Sequence, residues 1–156
     1  MTAMPILRNY ALPDLAATGH LARLLVPVLK TGDVLTLQGG LGAGKTSFAR
    51  YLLQELGVTG DIPSPTYTLV QDYETSLGLI HHFDLYRLNA PEDLEELGWH
   101  EALTCGVSII EWPERAEGLL PASRLHLEFS QNEDGVRHCS IMPCGAWAER
   151  FKAVAL

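Results

Sequence analysis

Gly39-Gly40-Leu41-Gly42-Ala43-Gly44-Lys45-Thr46 is the stretch of this sequence that decides its fold. It fits G-x-x-x-x-G-K-[ST], the phosphate-binding loop in which glycines let backbone N–H groups turn inward around a phosphate chain. In such a loop the lysine reaches the terminal phosphates and the threonine hydroxyl lies on Mg²⁺. The sequence therefore predicts that a nucleotide and Mg²⁺ bind here, with nucleotide-binding residues Leu41, Gly42, Ala43, Gly44, Lys45, Thr46 and Ser47.

The segments on either side of the loop support this interpretation. Asp33 to Gln38 has the pattern of a short strand that runs into the loop. Ser47 to Leu56 has apolar residues at helical spacing and is followed by Gly57, which is typical of a helix end. A strand, a glycine-rich turn and a helix in this order are the context in which the motif binds phosphate.

The remaining chain alternates strands and helices and then turns to hairpins. Thr66 to Val70 and Leu79 to Phe83 are predicted to pair around a turn at Ser76 to Gly78. Other strands are predicted at Ile6–Ala11, Val107–Ile110, Arg124–Phe129 and Val136–Ile141, and other helices at Asp14 to Gly32, Pro91 to Gly98 and Gly145 to Val154. We therefore expect an α/β fold, one P-loop NTPase domain over residues 1–156, with a mixed sheet, a parallel core, antiparallel hairpins and helices on both faces.

The charge of the chain limits its partners and its nucleotide. The formal net charge of −8 disfavours an extended nucleic-acid surface, because phosphate backbones are bound by clustered Lys and Arg. The chain has only the lysines Lys30, Lys45 and Lys152, and none lies in the [NT]-K-x-D tetrapeptide that recognises guanine. ATP is therefore expected rather than GTP.

The sequence pattern predicts neither a membrane span nor a signal peptide. No apolar run approaches the length of a membrane span, and Met1 to Pro5 lacks the basic and apolar regions of a signal peptide. The three cysteines form no C-x-x-C pair, so neither a disulfide framework nor a zinc site is indicated. These features predict a cytoplasmic protein without a membrane partner.

A nucleoside triphosphatase also needs an acid at the end of a buried strand, to orient Mg²⁺ and water. Glu111 directly follows the apolar run Val107–Ile110, and Asp84 follows a run that contains His81 and His82. Glu111 has the better pattern, but either acid could serve and both could converge on one metal ion. The predicted metal ligands are Thr46, Glu111 and Asp84, and the alternative for each acid is a solvated residue at a strand end.

Two further features near these acids, Thr66 and Trp112, allow two interpretations each. The Thr66 hydroxyl could reach the γ-phosphate, or it could belong to an ordinary turn rich in β-formers. Trp112 could stack on a nucleotide base, or its indole could lie at the margin of the core. His81 and His82 should point to opposite faces of a strand, one packed and the other open, and no catalytic role is assigned to them.

Four segments together resemble the ordered signature of one bacterial family. They are Gly42-Ala43-Gly44-Lys45-Thr46, Ser64-Pro65-Thr66-Tyr67-Thr68-Leu69-Val70, His82-Phe83-Asp84-Leu85-Tyr86-Arg87-Leu88 and Glu111-Trp112-Pro113-Glu114-Arg115. The family is TsaE, also known as YjeE, the ATPase of tRNA threonylcarbamoyladenosine biosynthesis. The resemblance extends from Leu35 to Pro121. The family usually has Gly-Asp-Leu-Gly where this chain has Gly39-Gly40-Leu41-Gly42, so an acid is missing at the rim of the loop.

The resemblance implies a compact ATPase that acts with the partner proteins TsaD and TsaB. These partners modify the adenosine beside the anticodon in tRNAs that read codons beginning with A, so this chain would meet tRNA only indirectly. The resemblance makes Thr46 and Glu111 the Mg²⁺ ligands and Asp84 a residue needed for hydrolysis. It places Thr66 in a switch-like loop and Trp112 near the nucleotide. The expected catalytic residues are Lys45, Thr66, Asp84 and Glu111.

Two other functions fit a phosphate loop. A small-molecule kinase would need an acceptor pocket and an arginine-bearing lid; Arg87 and Arg115 are available, but no segment is long enough to form a separate lid. An adaptor that binds ATP without hydrolysing it is the second alternative, and the presence of both Asp84 and Glu111 argues against it.

Overall fold

The structure is a computed structural model and describes residues 8–152. Its seven strands are β1 (Arg8–Leu12), β2 (Val34–Gln38), β3 (Val70–Thr75), β4 (Gly78–Asp84), β5 (Val107–Glu111), β6 (Arg124–Gln131) and β7 (Arg137–Cys144). Its α-helices are α1 (Leu15–Leu25), α2 (Lys45–Glu55), α3 (Trp99–Cys105) and α4 (Trp147–Lys152). Short 3₁₀ segments cover Val26–Val28, Pro91–Leu97 and Pro113–Ala116.

All seven strands form one mixed sheet in the order β1-β7-β6-β2-β5-β4-β3. The four central strands β6, β2, β5 and β4 run parallel, so their carboxyl ends lie at the same edge. The outer pairs β3–β4, β6–β7 and β1–β7 are antiparallel. The predicted parallel core flanked by antiparallel hairpins is confirmed.

Helices cover both faces of the sheet, as the α/β prediction requires. On the first face, α1, α2 and α4 pack on alternate side chains of the strands, among them Leu35, Leu37 and Ile109. On the second face, α3 and the neighbouring 3₁₀ segments pack on Val34 and Ile110. Strand β2 is buried on both faces because it lies in the middle of a parallel sheet, which explains its nearly continuous apolar sequence.

Helix α1 follows Pro13 and is capped by Asp14, the residue at which the sequence predicts this helix to begin. The carboxylate of Asp14 accepts a hydrogen bond of 2.8 Å from the backbone N–H of Ala17, which satisfies one free donor of the first turn. One side of the helix packs against the core, with Leu21 and Leu25 buried and Leu24 half-buried. The α-helix ends at Leu25, before the predicted stop at Gly32.

The strand predicted at Thr66–Val70 is wrong. Residues 66–69 form a turn, and β3 begins only at Val70, because Leu69 has a positive φ of 69° that cannot continue a strand. The hairpin itself and its turn are placed correctly, since β3 ends at Thr75 and β4 begins at Gly78.

The segment after Pro91 is helical up to Leu97 and ends at Gly98 as predicted, but it is a 3₁₀ helix. Helix α3 directly behind it was not predicted. Ile6 and Leu7 of the first predicted strand, and Ala153 and Val154 of the last predicted helix, lie outside the described residues. Within residues 8–152 no helix is long and apolar enough to cross a bilayer. The single domain over residues 1–156 stays a prediction.

Candidate nucleotide site

The phosphate loop lies at the edge of the sheet where the parallel strands end. It follows β2 directly and leads into α2, which begins at Lys45. Strands β5 and β4 end on one side of it, with Glu111 and Asp84 as their last residues. In open α/β sheets this edge is where ligands bind, because loops and helix amino ends converge there.

The backbone of the loop has a shape that two of its glycines make possible. A Cβ on Gly39, whose φ is 154°, would lie 2.5 Å from the carbonyl oxygen of Phe129, so no other residue fits there without a backbone shift. Gly44 has a φ of 115°, a conformation that side chains rarely permit. Gly40 has neither restriction, since a Cβ there would meet nothing within 4 Å. The acid of the usual Gly-Asp-Leu-Gly pattern would therefore fit at position 40 without a steric clash.

Lys45 is buried at the first position of α2, with its ammonium group folded toward the loop. Its Nζ donates hydrogen bonds to the carbonyl oxygens of Gly39 and, at 2.9 Å, of Gly40. The same atom lies 4.2 Å from the centre of the Trp112 ring. Burial lowers the pKa of Lys45, and the nearby acids, first among them Glu111, oppose this shift. A phosphate anion at the loop would raise that pKa again and keep the ammonium group charged.

Glu111 is the most enclosed acid of the site, with 1% of its surface exposed. Its Oε1 accepts a hydrogen bond of 2.9 Å from the Thr46 hydroxyl. Its Oε2 lies 2.6 Å from Nε2 of His82, whose side chain is fully buried. Both carboxylate oxygens are therefore held, one from the phosphate-loop helix and one from strand β4.

His82 is a residue of this site that the sequence interpretation missed. Its Nδ1 has no hydrogen-bond partner within the described chain. Because an ionised carboxylate can only accept, the contact with Glu111 is a hydrogen bond when Nε2 carries the hydrogen. The prediction that one of the two histidines is open is wrong, because His81 is 9% exposed and also buried. Strand alternation could have pointed to His82, since it precedes Asp84 by two residues and must share its face.

Asp84 lies beside Glu111 in the register of β4 and β5, so the two acids project from the same face. Its Oδ2 accepts a hydrogen bond of 2.9 Å from the Thr66 hydroxyl, and its Oδ1 accepts one of 3.0 Å from the backbone N–H of Tyr86. The Ser64 hydroxyl is 2.7 Å from that of Thr66. The structure thus brings Thr66 to an acid of the site.

The turn that carries Thr66 is attached to the end of β4. The backbone N–H of Leu69 donates to the carbonyl of Pro65 at 2.7 Å, and the N–H of Asp84 donates to the carbonyl of Leu69 at 2.9 Å. Leu69 is one of two described non-glycine residues with positive φ, and such conformations persist only when their surroundings enforce them. The other is Trp112, which directly follows Glu111.

The half-buried indole of Trp112 covers one side of the site. Its ring packs on that of Tyr86, with 4.8 Å between the ring centres, and it lies over the ammonium group of Lys45. The left-handed backbone, with a φ of 59°, turns the chain sharply after β5 and brings the indole to this position. Stacking on a nucleotide base stays a prediction.

These groups surround a cavity of about 170 Å³. Its walls are formed by Leu41, Gly42, Gly44, Lys45, Thr46, Ser47, Thr66, Asp84, Tyr86, Glu111, Trp112 and Arg137. Of the predicted site residues only Ala43 does not line it, because its side chain is buried in the core under the loop. Tyr86 and Arg137 were not predicted. Arg137 comes from the hairpin farthest along the chain, which no local pattern connects to the loop.

A glycine loop between a parallel strand and a helix, with a buried acid at the end of the adjacent strand, defines a P-loop NTPase fold. The family model described as threonylcarbamoyl adenosine biosynthesis protein TsaE matches residues 12–139. The chain therefore belongs to the TsaE family, and its role lies in tRNA threonylcarbamoyladenosine biosynthesis.

Individual relatives agree with the family model. The tRNA threonylcarbamoyladenosine biosynthesis protein TsaE of Rickettsia felis is 42% identical over 126 residues, which are 80% of this chain and 74% of the relative. The protein of the same name from Bacillus subtilis is 36% identical over 129 residues, 82% of this chain and 80% of the relative. The crystal structure of Bacillus subtilis YdiB matches with a TM-score of 0.81 and 26% identity, covering 98% of this chain and 97% of YdiB.

Proposed function

We propose that this chain is the Mg²⁺-dependent ATPase of the tRNA N6-threonylcarbamoyladenosine machinery. In this proposal it acts with TsaB and TsaD on tRNAs that read codons beginning with A. The observation that carries the proposal is the Glu111 carboxylate, which is fixed between Thr46 of the phosphate-loop helix and His82 of β4. A merely structural glycine turn would not require a buried acid at this position.

The residues of the cavity have separate tasks in hydrolysis. Inward N–H groups of the loop and the Lys45 ammonium hold the β- and γ-phosphates and offset the negative charge that develops during transfer. Asp84, oriented by Thr66, faces the cavity and positions the attacking water. Trp112 and Tyr86 close one side of the cavity and limit the access of bulk water.

The donor atoms present fit Mg²⁺. Thr46, Glu111 and Asp84 offer one hydroxyl and two carboxylates, and Mg²⁺ prefers such oxygen ligands together with phosphate oxygens and water. Glu111 and Asp84 face the same side, and Glu111 already contacts the Thr46 hydroxyl. When bound, the ion would neutralise charge on the phosphate oxygens.

The partner proteins supply what this chain lacks. Its net charge of −8 opposes direct tRNA binding, so the tRNA is bound through the complex. Tyr67, next to Thr66, is 80% exposed and stacks on Arg87, with 4.4 Å between the guanidinium carbon and the ring centre. A partner that docks against this turn would reach Asp84 through Thr66, so docking and nucleotide affinity would be coupled.

The experiment is to measure ADP and phosphate release by this chain alone, with purified TsaB and TsaD, and with tRNA. We expect slow hydrolysis by the chain alone, faster hydrolysis with the partners and threonylcarbamoyl transfer to tRNA only in the complete mixture. Glu111→Gln is the matched variant, because it keeps the shape of the side chain and removes the charge. Equal hydrolysis by Glu111→Gln at limiting Mg²⁺ would contradict the metal site.

Product analysis separates this function from the small-molecule kinase. An ATPase releases phosphate in the same amount as ADP, whereas a kinase transfers the phosphoryl group to an acceptor and releases ADP without free phosphate. Hydrolysis to equal amounts of ADP and phosphate in a mixture of cell metabolites supports the ATPase. ADP formed well in excess of phosphate would support the kinase.

A further inference from the structure

Arg137 enters the phosphate cavity from the side opposite to the two acids. It is the first residue of β7, and β7 pairs with β6, which lies on one side of β2. Glu111 and Asp84 end β5 and β4, which lie on the other side of β2. The phosphate loop therefore lies between a basic group on one side and two acids on the other.

The side chain of Arg137 lies close to the phosphate loop at Gly44. A Cβ on Gly44 would lie 3.5 Å from Cδ of Arg137 and 3.9 Å from its Nη1. Gly44 directly precedes α2, so the guanidinium group lies beside the amino end of this helix, where free N–H groups already favour an anion.

The guanidinium group of Arg137 has no polar partner in the part of the chain that the structure describes. Within residues 8–152 no hydrogen bond or ion pair involves it. By contrast, Arg150 is fixed by Asp33, and Arg124 donates to the carbonyl of Pro121. A half-buried arginine with five free donors in a phosphate-binding cavity is suited to bind phosphate oxygens in a bidentate manner.

We infer that Arg137 is a nucleotide ligand, which binds the part of the polyphosphate that ATP and ADP share. This inference rests on the proposed function. The two acids and Thr66 lie on the β5–β4 side, and the Thr46 hydroxyl points to Glu111 there, which assigns the γ-phosphate to that side. The α- and β-phosphates then lie toward β6 and β7, within reach of Arg137. Loss of Arg137 should weaken ATP and ADP by a similar factor.

The test is a calorimetric titration of ATP and of ADP, each with Mg²⁺, into the full chain and three variants. Arg137→Ala should weaken both nucleotides by roughly tenfold to a hundredfold, the effect of losing hydrogen bonds to a charged group. Arg137→Lys should lie between Arg137→Ala and the unchanged chain, because lysine keeps the charge and loses the planar fork. Arg23→Ala is the control, since it removes the same charge from a side chain that is 66% exposed on α1.

The outcomes separate this inference from the proposed function. Unchanged affinity of Arg137→Ala for both nucleotides, while the unchanged chain binds them, would overturn the inference and leave the ATP site intact. A loss for ATP alone would also overturn it, because it would place Arg137 at the γ-phosphate. If the unchanged chain binds neither nucleotide, the proposed function fails, and the inference fails with it. Circular dichroism of each variant shows whether the fold is retained.

Discussion

At the scale of single residues, the site depends on a carboxyl group that is removed from water and yet hydrogen-bonded at both oxygens. Burial of a carboxylate is unfavourable unless its oxygens accept hydrogen bonds. Thr46 and His82 provide these bonds to Glu111. Because Thr46 is also a predicted Mg²⁺ ligand, His82 would be the partner that keeps the carboxylate in place if the hydroxyl bound the metal ion.

His82→Ala should therefore change both stability and metal dependence. Removing a buried hydrogen bond to a charged group should lower the free energy of unfolding by about 1.5–3 kcal/mol. The Mg²⁺ concentration for half-maximal ATP hydrolysis should rise roughly tenfold or more, as for other residues that orient a metal ligand. Both values are obtained from urea unfolding and from hydrolysis rates at a series of Mg²⁺ concentrations.

His81→Ala is the matched control for this prediction. His81 is also buried, but its neighbour position on β4 turns it to the other face, where its Nδ1 lies 2.8 Å from Asp72. This variant should lose stability and keep the Mg²⁺ dependence of the unchanged chain. If His81→Ala and His82→Ala shift the Mg²⁺ midpoint alike, His82 has only a structural role.

At the scale of elements, a bidentate ion pair attaches the short helix α4 to the start of β2. Arg150 donates from Nη1 to Oδ1 of Asp33 at 2.6 Å and from Nη2 to Oδ2 at 2.9 Å. The same Nη2 donates to the carbonyl of Val28, and the guanidinium lies over the ring of Trp147. Hydrogen bonding to Asp33 raises the pKa of Arg150. The Asp33 carboxylate is buried, so removing the Arg150 guanidinium would leave a buried negative charge without its ion-pair partner.

Arg150→Met should lower the free energy of unfolding by about 1.5–3 kcal/mol, because the remaining Asp33 carboxylate is 7% exposed. Lys152→Met on the same helix is the comparison. Lys152 pairs with Glu149 at 3.1 Å, but both side chains are exposed, and such a pair contributes at most about 1 kcal/mol. Urea unfolding of both variants checks this. A larger loss for Lys152→Met than for Arg150→Met would refute the assignment.

How much the sequence could predict also differs between elements. The loop, β2, α2 and β5 are encoded in adjacent residues: a glycine motif, an apolar run and helical spacing. The start of β3 was misplaced because the positive φ of Leu69 comes from contacts with Pro65 and Asp84, not from local preference. Helix α3 was missed because its seven residues are too few for a clear period.

The candidate site also contains residues that the sequence could predict and one, Arg137, that it could not. Lys45, Thr46, Asp84 and Glu111 could be named from a motif and from strand ends, and the structure brings them to one cavity. Arg137 could not be named, because its position follows from the parallel pairing of β6 with β2, which relates residues far apart in sequence. Such long-range pairing leaves no local pattern.

At the scale of the whole molecule, we expect the stability to vary with pH through His126, which joins two adjacent strands of the sheet. The Thr36 hydroxyl lies 2.8 Å from Nδ1 of His126, which joins β2 to β6. Burial lowers the pKa of His126; Glu128 and Glu114 raise it, and Arg124 lowers it. The unfolded chain therefore takes up a proton at a higher pH than the folded chain. The contribution is complete above the ordinary histidine pKa of about 6.5 and is lost as the pH falls through the lower folded pKa.

His126→Gln should flatten this pH dependence. The free energy of unfolding, measured in urea at about pH 7.5 and about pH 5.5, should fall less between the two values than in the unchanged chain. Other titrating groups are common to both proteins and cancel in the comparison. An equal or larger fall in His126→Gln would show that this histidine does not account for the acid sensitivity.

The most direct test of the nucleotide site is a calorimetric titration of ATP with Mg²⁺ into the unchanged chain and into Lys45→Ala. Lys45 is the one lysine of the phosphate loop, and its ammonium lies against the loop carbonyls where the phosphates would bind. We predict one ATP per unchanged chain and an affinity at least about tenfold weaker for Lys45→Ala, the effect of losing a charge-assisted contact. Equal ATP affinity of the two proteins would contradict a nucleotide site at this loop.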